Sequence, residues 1–228
     1  MIQVFIGFDP RETAAFNVLA SSIQTRSSEP VSICPLMLSQ LGGLMVRARH
    51  PLQSTDFSFS RFLVPYLSGY SDFSIFMDCD MLMLDDIAAL WALKDESYAV
   101  QVVKHDYRPA ETVKFLGEPQ TPYDKKNWSS VMLFNNRKCR MLTPDYVNGA
   151  SGLELHQFKW LGDEAMIGEL PHRWNHLVGY DAESADVSLL HYTLGGPYFA
   201  EYAESDYAEQ WRAERDVMMY AGSKPFRR

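Results

Sequence analysis

At 228 residues, with 46% hydrophobic and 13% aromatic side chains, the chain can bury a sizeable core without disulfides or structural metals, and disorder over most of its length is excluded. A formal charge of −8, with no extended basic patch beyond short runs such as Lys125-Lys126 and Lys224 to Arg228, argues against a nucleic-acid partner. Cys34, Cys79 and Cys139 are odd in number and widely spaced among apolar neighbours, so reduced core thiols of a cytoplasmic protein are expected, and no apolar window reaches the ~18 residues of a transmembrane segment.

Residues 2 to 7 form a short buried strand ending at Gly7. Asp9-Pro10-Arg11-Glu12 carries a helix start, with Asp9 as N-cap, Pro10 at the first helical position and Glu12 closing a capping-box-like pair. Ala14, Ala15, Val18, Leu19, Ser22 and Ile23 follow at helical spacing as its buried face. A strand, a turn and a helix open a doubly wound α/β domain, where ligands lie beyond the carboxyl ends of the strands. Val31 to Pro35 is the second strand; Leu36 to Gln53, with the basic cluster Arg47, Arg49 and His50, has no clear period. Ser54 to Leu67 is expected as a capped apolar helix broken near Pro65. Arg61 is its only charged interior group, so it needs an anionic partner: a phosphate, or a core carboxylate such as Asp78 or Asp80.

Phe73 to Leu84 is an apolar run interrupted by Asp78-Cys79-Asp80. An ionised carboxylate is costly in such a place unless paired or bound to metal, so the two aspartates are expected at a strand end facing a site. In extended backbone Asp78 and Asp80 share a side and can converge on one hard cation while Cys79 packs the other way. Asp85 and Asp86 then cap a short helix, Ala99 to Val103 is a strand, and the polar stretch from Lys104 to Lys126 is long enough to be a functional loop. Trp128 to Asn135 is another buried strand, and short helices follow from 144 to 160. Asp163 is a ready N-cap, Val187 to Leu190 a last strand that delivers His191 to the cleft edge, and Glu201 to Tyr220 a final helix over the sheet before a basic tail, 221–228.

Asp9, Arg61, the Asp78-Cys79-Asp80 triplet, Ser129-Ser130-Val131-Met132-Leu133-Phe134-Asn135, Gly162-Asp163-Glu164 and the run from His191 to Phe199 with its Gly195-Gly196-Pro197 turn occur in an order that resembles GT-A glycosyltransferases of the family 8 type, the glycogenins and galactosyltransferases, and a bacterial branch of them. The resemblance spans residues 2 to about 200 and implies a single GT-A domain with a mostly parallel mixed sheet flanked by helices. It implies a hexosyl transfer from a UDP-sugar to a glycan, lipid-linked or other hydroxyl acceptor, with retention of configuration. The same likeness implies Mn2+, or Mg2+, on Asp78, Asp80 and His191. It further implies nucleotide-sugar contacts from Asp9, Arg61, Asp78, Ser129, Ser130, Glu164, Gly195 and Gly196, with Asp163 at the transferred sugar as the catalytic group. Two motifs depart from the family: Trp128 stands where an asparagine contacts the sugar, with Asn127 one residue earlier, and Ser130 where a glycine stands, while the segment after His191 lacks a diphosphate-binding lysine and shifts its glycine. A haloacid-dehalogenase-like phosphatase, which shares an apolar strand ending in two spaced aspartates, and an inactive nucleotide-sugar-binding module are the rival readings.

Overall fold

The computed structural model describes residues 1–49, 53–106, 114–118 and 123–220. Nine strands are present among them: β1 Ile2–Phe8, β2 Val31–Met37, β3 Phe73–Met77, β4 Met81–Met83, β5 Val100–Val102, β6 Val131–Asn135, β7 Ile167–Glu169, β8 His176–Leu177 and β9 Leu189–His191. The helices are α1 Thr13–Arg26, α2 Val64–Leu67, α3 Ile87–Trp91, α4 Pro144–Gly149, α5 Gly152–His156 and α6 Ala208–Met218, with short 3-10 turns between them. Six strands form one sheet in the order β2-β1-β3-β6-β5-β7; β4, β9 and β8 form a second. In the larger sheet β6 runs antiparallel to both β3 and β5, and the other pairings are parallel, so the expected mixed α/β architecture is present. No helix of the described residues is long and apolar enough to cross a membrane.

Burial explains the sequence of the central strands. β3 and β6 are buried at every position, which requires the unbroken apolar runs at 73–77 and 131–135. β1 is nearly so. β2 lies at the sheet's edge and is only partly covered, which leaves Cys34 exposed, whereas Cys79 and Cys139 are the buried thiols expected; all three are free.

Several boundaries differ from the sequence reading for identifiable reasons. Asp9 accepts from the Arg11 N–H and caps a 3-10 turn, Pro10–Glu12, while the Glu12 side chain is turned into the core instead of closing a capping box. Ala14 is exposed; the buried face of α1 is Ala15, Val18, Leu19, Ser22 and Ile23. The segment 54–67 is not one helix: it opens as turns and a 3-10 stretch, Ser60–Leu63, and Pro65 lies in the first turn of α2, where a missing N–H costs nothing. Trp128–Ser130 is a 3-10 turn leading into β6. Asp86 caps α3 as expected, but Asp85 pairs with Arg173. The final helix begins only at Ala208; it lies against α1, with Arg26 and Glu214 paired at 2.6 Å, and its Trp211 is buried in one cluster with Val18 of α1 and with Leu82 and Leu190 of the smaller sheet. His50, residues 107–113 and 119–122 of the long polar stretch, and the basic tail 221–228 lie outside the described residues.

Gly7, near the carboxyl end of β1, faces the ring of Phe57, and a Cβ there would lie 2.4 Å from its carbons. Phe57 in turn packs toward Phe76 of β3 and under the Arg61 guanidinium. Gly7→Ala is therefore expected to destabilise the fold by about 1–3 kcal/mol, as overpacked cores do; a urea midpoint equal to that of the parent would show that Phe57 moves aside without cost.

Candidate functional site

β3 ends at Met77, and the chain turns through Asp78-Cys79-Asp80 into β4. The three side chains separate as extended geometry demands. Cys79 is fully buried and its thiol points at Glu12 Oε2, 3.7 Å away. Asp78 and Asp80 face a cavity of about 440 Å3 whose walls also include Arg47, Arg61, Lys114, Lys126, Asn127, Ser129, Ser130 and His156. The register of β4 on β9 sets Met81 opposite His191, which brings that imidazole to the turn. One ligand atom from each of Asp78, Asp80 and His191 lies within 4.8 Å of the others.

The hydrogen bonds around His191 decide which nitrogen faces the carboxylates. Asn175 donates its amide to Ser130 Oγ at 2.9 Å and to the Asn127 carbonyl at 3.3 Å, so its Oδ1 is the acceptor for His191 Nδ1 at 2.9 Å. In the neutral ring Nε2 then carries a lone pair, and it lies 3.4 Å from Asp80 Oδ1. Two lone pairs at that distance repel unless a proton or a metal ion lies between them. Asp80 Oδ1 and Asp78 Oδ1 are both buried and accept no well-aligned hydrogen bond from the described residues. Oxygens and an imidazole nitrogen with unused lone pairs, held in place by an amide behind the ring, fit a divalent cation such as Mn2+.

Arg61 answers the sequence-level question about its partner. Its Nη1 lies 2.8 Å from Asp78 Oδ1 and donates to the Ser129 carbonyl at 2.8 Å, while its Nε has no acceptor among the described residues. The guanidinium sits 5.0 Å and 5.3 Å from the ring centroids of Phe76 and Phe57. Burial pushes the Asp78 carboxyl up to about 6 against the pull of Arg61, with Asp80 adding to the rise. Burial also raises Asp80, but a proton on His191 Nε2, with Lys114, outweighs it and holds Asp80 below the usual range.

Four side chains to which the sequence reading gave no part in the site complete the charge pattern. Lys114 Nζ contacts Thr193 Oγ1 at 3.5 Å; burial lowers its pKa while Asp80, Asp78 and Glu12 pull it back up. Burial, with repulsion from Lys114 and Arg61, brings Lys126 down to about 7, and its amine has no ion pair among the described residues. His156 bonds to Ser129 Oγ at 2.8 Å, and burial beside Arg61 and Lys126 keeps it neutral. Glu12, at the back of the Asp78-Cys79-Asp80 turn, accepts from the Tyr198 hydroxyl at 2.8 Å, and burial near Asp80 raises it to about 8. The polar, aperiodic stretch from 104 to 126 was the only sequence signal for the two lysines.

The other expected site residues are not walls of this cavity. Asp9 is buried, and its carboxylate is taken by Arg11 and by the Asp56 N–H. Burial raises its pKa, but these hydrogen bonds prevail and lower it. Asp163 and Glu164 are exposed: Asp163 caps the turn Glu164–Met166 through the Ala165 N–H, and Glu164 pairs with Lys125. The sugar-orienting role expected of Asp163 finds no support in that arrangement. Gly195, at φ +141°, and Gly196 form the turn after β9; a Cβ on Gly196 would meet the Tyr198 ring at 2.4 Å, so the turn serves to seat Tyr198 against Glu12.

The fold of this chain, a mixed sheet flanked by helices, is that of solved GT-A glycosyltransferases. The apo bifunctional glycosyltransferase WbbM superposes with a TM-score of 0.66 at 14% identity, over 96% of this chain and 51% of its own. GlyE of Streptococcus pneumoniae TIGR4 gives 0.63 at 14% identity, over 96% and 62%. The galactosyltransferase LgtC, in complex with donor and acceptor sugar analogues, gives 0.58 at 12% identity, over 95% and 96%. The chain thus spans about half of WbbM and less than two thirds of GlyE, and at these identities the likeness is one of fold. No protein-family model matches the chain. Protein CDI of Arabidopsis thaliana, a plant rather than a bacterial protein, is 44% identical over 223 residues, covering 94% of this chain and 86% of its own length. The chain belongs to the family of Protein CDI.

Glu12 provides a test of the electrostatics. Its folded pKa is raised, so the native state keeps a proton that the unfolded chain releases, and stability falls as pH rises from about 4.5 to about 8. Glu12→Gln should remove that fall, gaining on the parent in urea midpoint at pH 8 relative to pH 5. Parallel pH profiles for the two proteins would show Glu12 to be ionised in the core.

Proposed function

We propose that the protein is a metal-dependent glycosyltransferase moving a hexosyl group from a UDP-sugar to a hydroxyl acceptor, a glycan, lipid-linked or other, with retention of configuration. The observation that carries this reading is two buried aspartate oxygens, one beside Arg61 and one facing His191 Nε2, on a cavity walled by cations. Such a site suits a diphosphate that brings its own negative charge. The resemblance to family 8 enzymes and the GT-A neighbours support the same reaction class.

Asp78, Asp80 and His191 would hold the divalent ion, Mn2+ or Mg2+. When bound, that ion supplies Lewis-acid neutralisation of a departing diphosphate. Arg61, Lys114 and Lys126 bind phosphate oxygens, the arginine through its unused Nε. Lys114 touches Thr193 in the segment after His191, and so serves where that segment lacks its own lysine. Asn127 lines the cavity with a buried Nδ2 that has no acceptor among the described residues. It replaces the family's asparagine one position early and donates to a sugar hydroxyl. Positive charge developing at the anomeric carbon is stabilised by the departing phosphate, so front-face attack by the acceptor needs no protein nucleophile.

UDP release from a panel of UDP-sugars with Mn2+ tests the reading directly. Asp80→Ala should lower turnover by at least about 100-fold, and Arg61→Ala should weaken UDP binding by about tenfold in calorimetry, the size of one charge-assisted hydrogen bond. Parent protein that binds UDP but turns over none of the donors would be a binding module. Turnover indifferent to both chelator and Asp80→Ala would remove the metal.

A further inference from the structure

A cluster outside the cavity carries chemistry that the proposed reaction does not use. His105 follows β5, His172 lies in the 3-10 turn before β8, and Asp181 follows β8. One ligand atom from each lies within 4.8 Å of the other two, and none of the three belongs to the Asp78, Asp80 and His191 set. His172 Nε2 is 2.8 Å from Asp181 Oδ2, which also accepts from the Leu177 N–H at 2.6 Å, and the His105 and His172 rings meet edge to face at 5.1 Å. His176 Nδ1 approaches the same carboxylate at 3.9 Å.

Nothing in ordinary packing explains why His105 is placed there. It is buried, with 7% of its surface exposed, and its Nε2 has no hydrogen-bond partner among the described residues. A buried imidazole without an acceptor or donor costs free energy, and an apolar ring would fill the same space without that penalty. Its position is fixed from behind, since the Trp128 indole N–H donates to the His105 carbonyl at 2.9 Å. Burial beside His172 lowers its pKa to about 3, so at neutral pH the ring is uncharged and keeps a lone pair.

We infer that His105, His172 and Asp181 form a separate divalent-metal site, suited to Zn2+. Two imidazole nitrogens and one carboxylate oxygen are a borderline donor set, which Zn2+ prefers and which Mg2+ and Ca2+ do not. Tetrahedral bonds to Zn2+ require ligand atoms ~3.4 Å apart. The half-exposed His172 ring can rotate to reach that spacing, exchanging its bond to Asp181 for one to the ion. The Leu177 N–H already orients the carboxylate from behind, as metal ligands require. Such an ion ties the end of β5 in the larger sheet to β8 in the smaller one. The inference is independent of the glycosyltransferase reading.

Zn2+ uptake by the full chain tests it, measured by equilibrium dialysis and elemental analysis in an Asp80→Asn background that disables the other cluster. One equivalent of Zn2+ is expected, together with a visible d–d band when Co2+ is substituted, and a rise in melting temperature with Zn2+. Adding His172→Gln should weaken uptake at least tenfold and abolish the band. His105→Gln should do the same, and is read instead if circular dichroism shows the first variant to be unfolded. Absence of uptake in the Asp80→Asn background, or uptake unchanged by both glutamine variants, would overturn the site.

Discussion

Two carboxylates sit at the end of a strand that is buried at every position, and most of the surrounding arrangement follows from the need to neutralise them. Desolvating an ion costs several kcal/mol, and the cost is met only by opposite charge or by protonation. The two aspartates meet it differently. Asp78 has Arg61 at 2.8 Å and is still pushed up to about 6, whereas Asp80 is held low by His191 and Lys114. Glu12, lying behind them with no cation in hydrogen-bond contact among the described residues, is raised furthest, to about 8. A cluster of three acids thus divides into one that keeps its proton and two that offer oxygens to the cavity.

Topology delivers the groups that do this. Arg61 comes from the 3-10 turn before α2, and Ser129 and Ser130 from the turn that enters β6, which is antiparallel to β3. That pairing sets Met77 opposite Val131, and the Asp78 N–H continues it by donating to the Ser130 carbonyl. His191 and Asn175 arrive on the smaller sheet through β9 and the segment before β8. The two sheets meet at the Asp78-Cys79-Asp80 turn, because β3 belongs to one and β4 to the other. A displacement of one sheet against the other would separate Asp78, tied to Ser130 beside β6, from Asp80 and His191, which the β4–β9 pairing keeps together.

The features legible in the sequence were those that burial writes as continuous apolar runs. Strands β1, β3 and β6 are covered on both faces and announced themselves, and the aspartate triplet stood out because charge is rare in such company. What stayed hidden depends on side-chain direction. Glu12 had the spacing of a capping residue, yet its carboxyl turns inward to Tyr198 and Cys79. Asp9 and Asp163 had the positions of ligand contacts, but each spends hydrogen bonds on its own turn. Lys114, Lys126 and His156 come from turns and a five-residue helix, where no period marks a residue as inward-facing. The likeness to known glycosyltransferases ran through backbone architecture, so the fold was legible while the side-chain partners of Asp9, Glu12 and Asp163 were not.

The charge balance of the cavity differs from that of the whole molecule, and the difference bears on what it binds. The chain carries −8, so its surface repels anions at long range. The cavity wall has four basic side chains, Arg47, Arg61, Lys114 and Lys126, against two aspartates. Lys126 titrates near 7, so the wall gains positive charge as its amine takes up a proton in response to an entering anion. A cation on the aspartates, whose side chains are nearly buried, would add to that charge where screening by water is weak. A phosphorylated donor, as proposed above, would be drawn toward the aspartates by this charge, with its sugar beside the polar side chains of Asn127, Ser129 and Ser130.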